Sequence, residues 1–198
     1  MRPANTATTH HPAARVTGRS ERALLRRRHC LAAALLLALA SSARAGGPAP
    51  WPELKADLRR RYPSVPQLTV PALQAWLLDA SKAPPLLLDV RTAEEFADGH
   101  LAGAVRVGSK RAALQLLQAR PPGAPVVLYC SVGERSSALA QALIADGVRG
   151  VQNLEGSLFE WANSGHAVVD GTGSTGRVHP YDRQWGRLLQ RELWSREP

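Results

Sequence analysis

Two runs of the chain are apolar at almost every position, Leu86-Leu87-Leu88-Asp89-Val90 and Val126-Val127-Leu128-Tyr129, and both stand beside chain breakers. Pro84-Pro85 precedes the first, and Pro121-Pro122-Gly123 stands shortly before the second. Runs this short with almost no polar side suit strands buried on both faces. Around them strands and helices alternate. Glu53 to Tyr62 reads as a short amphipathic helix ending at Pro63, and Thr69-Val70-Pro71 as a strand end passing into a helix with Leu73, Trp76, Leu77 and Ala80 on its apolar face. Helices follow over Thr92 to Ala97, Lys110 to Ala119, Ser137 to Asp146 and Leu158 to Asn163, with strands near Ala104 to Val107 and from Val151 to Leu154. This alternation predicts an α/β fold: a parallel β-sheet of about five strands with helices on both faces. Sites in open sheets of this kind form at the carboxyl ends of strands, and Cys130 stands at such an end.

The first 45 residues read as a leader. Arg26-Arg27-Arg28 precede an apolar run from Cys30 to Ala40, and Ser41-Ser42-Ala43-Arg44-Ala45 offers the small residues of a cleavage site after Ala45. The run is about half the length needed to span a bilayer, so export with cleavage is expected and an uncleaved leader acting as a membrane anchor is the alternative. The leader holds eight of the 25 Lys and Arg and one of the 16 Asp and Glu, a net +7, which leaves +2 for the remainder. The basic excess therefore does not mark a nucleic-acid surface, and no nucleic-acid partner is expected. Residues 46–66 form a lead-in, 67–170 the folded domain, and 171–198 a linker and C-terminal helix.

With Cys30 inside the leader, Cys130 is the one cysteine of the remaining chain. An unpaired thiol in an exported protein needs burial or chemistry to be kept. Its surroundings favour chemistry. Cys130-Ser131-Val132-Gly133-Glu134-Arg135-Ser136 lies between a strand and a helix, where backbone N–H groups face whatever sits on the sulfur. Those of Ser131 to Ser136 can curl into an anion nest, with Val132 inside the curl and Gly133 free to take positive φ at its middle. Arg135 supplies a cation for an oxyanion by fork geometry, and Ser136 reads as the helix N-cap. Asp89, Arg91, Glu95 and His100 read as a polar network fastening loops at the sheet end.

Four separated motifs, spread over roughly Leu68 to Val169, resemble the rhodanese-like domains. Leu88-Asp89-Val90-Arg91 with Glu94-Glu95-Phe96, then Gly99-His100-Leu101-Ala102-Gly103-Ala104, is similar to the family's DVR and GHIPGA signatures. The cysteine loop resembles its C-x-x-G-x-R active loop, and Leu154-Glu155-Gly156-Ser157 with Trp161 and Gly165 resembles its closing segment. The resemblance implies a single rhodanese-like domain in which Cys130 takes sulfane sulfur from a small-molecule donor such as thiosulfate, becomes a persulfide, and passes the sulfur to a thiol or cyanide-like acceptor. The leader pattern and its general look add the expectation of a bacterial periplasmic location. Two departures stand out. Ser157 replaces a glycine of the closing motif, and Glu134 puts a carboxylate into the active loop, where a side chain turned inward would oppose a thiolate. The expectation is that Glu134 points to solvent.

Two other functions fit parts of this pattern. One is a non-catalytic binding or sulfur-carrier module on the same scaffold. The other is an arsenate reductase or phosphatase, but four residues between Cys130 and Arg135, one fewer than such loops carry, make a smaller cradle. The scattered histidines and the absence of C-x-x-C or H-E-x-x-H spacing predict no metal and no cofactor. Gly171 to Gly176 lacks the Lys and preceding strand of a phosphate loop and reads as a flexible linker. Trp185, Leu188, Leu189 and Leu193 mark a helical stripe expected to dock on the domain.

Overall fold

The computed structural model describes residues 51–198. The leader and its cleavage point after Ala45 lie outside the described residues. Helix α1 (Trp51–Arg61) carries Glu53 in its first turn and three arginines in its last, matching the helix dipole, and buries Leu54 and Leu58. Strand β1 (Gln67–Leu68) leads into α2 (Val70–Leu78), capped by the Thr69 side chain with Pro71 in the first turn. Then come β2 (Leu86–Asp89), α3 (Ala93–Asp98), β3 (Val105–Arg106), α4 (Lys110–Gln118), β4 (Val126–Tyr129), α5 (Glu134–Ala145), β5 (Val151–Leu154) and α6 (Ser157–Asn163).

Five strands form one parallel sheet in the order β1-β5-β4-β2-β3, as the alternation predicted. Alternate residues of β4 feed two cores. Val127 and Tyr129 pack with Leu54, Leu58, Leu73 and Phe159 on one face, while Val126 and Leu128 pack with Ala113, Ala140 and Leu143 on the other. That double burial is why β4 has no polar side. The order also creates a switch point: from β2 the chain moves outward to β3, then returns to place β4 on the other side of β2. The carboxyl ends of β2 and β4 adjoin, with Asp89 opposite Tyr129, and the loops that leave them frame a crevice.

Two expectations fail beyond this sheet. Gly171 to Gly176 is not a free linker. Strands β6 (Val169–Asp170) and β7 (Gly173–Ser174) pair antiparallel, and Asp170 accepts bonds from the Thr172 and Gly173 amides and the Thr172 hydroxyl, an Asx-type turn that outcompetes glycine flexibility. Nor do Trp185 to Trp194 form one helix. They form two 3-10 turns, Trp185–Leu188 and Arg191–Leu193, separated by extended backbone at Leu189 and Gln190. The break lets Asn163 donate to the Leu188 carbonyl and accept the Gln190 amide, while Leu189 turns fully into the core. The stripe therefore packs on the domain without being helical. Among the described residues no helix is long and apolar enough to cross a membrane.

Candidate active site

Cys130 leaves the end of β4 with its side chain 1% exposed. Gly133 adopts φ 106° and is the N-cap of α5, so the chain curls and aims its N–H at the sulfur, 3.1 Å away. Helix α5 thus begins three residues earlier than expected. Ser136 is not its N-cap but a fully buried first-turn residue whose hydroxyl has no hydrogen-bond partner of normal geometry. The reason is conformational: glycine at positive φ terminates the loop before a serine cap is needed. Burial pushes the Cys130 thiol up, but the Arg135 charge and the Ser136 and Gly133 amides outweigh it, and the thiol lies below its ordinary value of 9.0.

The Arg135 fork is not open as the loop sequence suggested. Its two terminal nitrogens bond both oxygens of Glu95 at 2.9 and 2.7 Å, and one also reaches the Ser131 hydroxyl at 3.0 Å. Ser131 in turn donates to Glu95 at 3.1 Å. Glu95 is buried and also closes the capping box of α3, accepting the Thr92 amide. Burial raises the Glu95 carboxyl, yet the bonds from Arg135 and the Thr92 amide hold it at about 2. Arg135 therefore acts on the sulfur as a fixed charge, held in place by a carboxylate on the neighbouring loop.

Asp89 and Arg91 are completely buried and bonded to one another, with Arg91 Nη2 at 2.6 Å from Asp89 and 2.7 Å from the Gly99 carbonyl. His100 stacks on Phe96, its Nδ1 2.8 Å from the Phe96 carbonyl oxygen, and its backbone bridges to Val169 in both directions. All three fasten loops, as the sequence suggested, and none of these bonds involves the sulfur. Glu134 turns to the rim, where Arg61 of α1 donates to it at 2.8 Å; both side chains are 39% exposed. The outward orientation was expected, the partner was not.

Three features escaped the sequence. Ser157, the glycine replacement, sits at φ 50°, accepts the Cys130 amide at 3.2 Å and donates to the Leu154 carbonyl at 3.0 Å. The next two amides of α6 bond the carbonyls of Cys130 and Ser131, so the closing motif clasps the backbone of the cysteine loop. The departure from the motif was the available signal. The other two features are the walls. Cys130 lines a pocket of about 330 Å³ together with Ser131, Glu134, Arg135, Tyr62, Tyr181 and Trp185. The Tyr181 ring lies 4.8 Å from the Arg135 guanidinium. Tyr181 and Trp185 are distant in sequence from the loop, and no spacing rule connects them to it.

A buried thiol in a glycine-turned loop at the switch point of a parallel sheet defines an α/β domain with a candidate cysteine site. Residues 73–164 match the family model of the rhodanese-like domain. A sulfurtransferase of Allochromatium vinosum is 32% identical over 84 residues, which is 42% of this chain and 78% of that protein. An uncharacterised protein of Synechocystis is 38% identical over 85 residues, 42% of this chain; the match spans 46% of that relative's length. Among solved structures, thiosulfate sulfurtransferase from Pseudomonas aeruginosa superposes with a TM-score of 0.52 at 25% identity, covering 59% of this chain and 22% of that one. The chain belongs to the rhodanese-like domain family.

Proposed function

We propose that the protein is a sulfurtransferase that moves sulfane sulfur through a persulfide on Cys130. The observation that carries this reading is the thiol itself: buried, below its ordinary pKa, and met by the Gly133 amide at 3.1 Å beside the fixed Arg135 charge. In the first step the Cys130 thiolate attacks the outer sulfur of a donor such as thiosulfate. The bond to the sulfonate breaks, sulfite leaves with the electron pair, and the new persulfide anion inherits the donors that served the thiolate. In the second step cyanide or a thiolate attacks the terminal sulfur, and the electron pair of the breaking S–S bond returns to Cys130. No general base is needed once the thiol is ionised, which fits the structural bonding of His100. Export by the Met1 to Ala45 leader belongs to the same proposal.

The test is thiocyanate formation from thiosulfate and cyanide by the protein and by Cys130→Ser, with intact mass measured on the same samples. Turnover that vanishes in the variant, with a gain of one sulfur on wild-type Cys130 alone, is the expected result. A folded protein that neither turns over nor gains sulfur would refute the assignment and leave a binding module.

A further inference from the structure

The pocket over Cys130 is far larger than cyanide or sulfite requires. At about 330 Å³ it falls at the lower end of the range typical of small organic ligands. Its apolar lining consists of Tyr62, Val132, Ala138, Tyr181 and Trp185. The two charged side chains that line it are already paired, Arg135 with Glu95 and Glu134 with Arg61. A small inorganic anion entering there meets no unpaired lining cation. An uncharged flat group meets three aromatic rings.

Those three rings share a second property: Tyr62, Tyr181 and Trp185 all lie outside the family segment, residues 73–164. The chain has added them from both ends and fixed two of them firmly. Val178 is fully buried and exchanges backbone bonds with Leu193 and Ser195. Arg196 bonds Asp98 and Glu94 on α3, and Asp182 caps the Trp185 turn. Residues 177–198 thus form a strap bound to the domain, and Gly99 admits it, since a Cβ there would collide with the Arg177 carbonyl.

We infer that the C-terminal strap builds an acceptor subsite, and that the acceptor is a low-molecular-weight organic thiol with an aromatic or apolar body seated against Tyr62, Tyr181 and Trp185. This rests on the sulfurtransferase reading and concerns its second step. The thiolate attacks the terminal sulfur of the Cys130 persulfide, the bond to Sγ breaks with its electron pair returning to Sγ, and an organic persulfide leaves. No oxidant or reductant is consumed.

The test uses full-length protein loaded with sulfur from thiosulfate and freed of excess donor. Discharge of Cys130 by benzyl mercaptan, 2-mercaptoethanol or cyanide is followed by intact mass. The ratio of the benzyl mercaptan rate to the 2-mercaptoethanol rate is expected to fall about tenfold or more in Tyr181→Ala and in Trp185→Ala, the scale of a lost apolar contact. Trp185→Phe keeps an aromatic wall and should retain most of the ratio even if Trp185→Ala folds poorly. An unchanged ratio in folded Tyr181→Ala, or no advantage of benzyl mercaptan over 2-mercaptoethanol in the wild type, would overturn the inference alone. Failure of the wild type to load sulfur, or of cyanide to discharge it, would overturn the sulfurtransferase reading with it.

Discussion

Arg135 shows how one residue's part depends on its neighbours. The loop pattern suggests a free fork for an incoming oxyanion, yet Glu95 takes both ends of that fork. What remains for the sulfur is charge. Arg135→Gln is therefore expected to move the midpoint of Cys130 alkylation by iodoacetamide upward by about one pH unit or more, the scale of losing a nearby opposite charge. Arg135→Lys, which keeps the charge, should hold the midpoint closer to the wild type. If Arg135→Gln leaves the midpoint in place, the backbone amides and not the guanidinium ionise the thiol. The Asp89–Arg91 pair differs in kind. Both are wholly buried, Arg91 Nη1 has no partner among the described residues, and removing either member would strand a buried charge, so either single substitution is expected to destabilise the loop fold strongly.

The elements that hold the site were legible where local chemistry decides them. Pro71 in the first turn of α2, Pro84-Pro85 before β2 and the all-apolar β4 each announce a boundary through short-range sterics or burial. The start of α5 was misplaced because two signals competed, a serine that can cap and a glycine that can turn. Gly133 prevails since its φ of 106° puts the loop amides on the sulfur, where a side chain would be strained. A Cβ there would also stand 3.4 Å from both Asn153 and Leu58. Gly133→Ala is expected to cost about 1 to 3 kcal/mol in urea unfolding and to lower sulfur loading. Wild-type stability in this variant would mean that the curl is not what positions the helix.

At the scale of the whole molecule, the C-terminal strap is both a packing element and a wall of the pocket. Cutting the chain after Gly176 would expose surface now covered by Val178, which is wholly buried, and Leu189, which is 3% exposed. Apolar burial of this kind contributes roughly 1.5 to 3 kcal/mol per side chain. The truncated protein should melt several degrees lower, by about 5 °C or more in a calorimetric scan. An unchanged melting temperature would show that the strap is only a lid. The sequence by itself determined the parallel α/β sheet, the placing of Cys130 at a strand's carboxyl end and the need for glycine in its loop, because periodicity, breakers and backbone sterics act over a few residues. Tertiary structure alone decided that Glu95 fills the Arg135 fork, that Arg61 partners Glu134, that Ser157 clasps the Cys130 amide, and that Tyr62, Tyr181 and Trp185 meet over the thiol. Those contacts join residues from 27 to 73 positions apart, and their geometry follows from how the helices and the strap pack on the sheet.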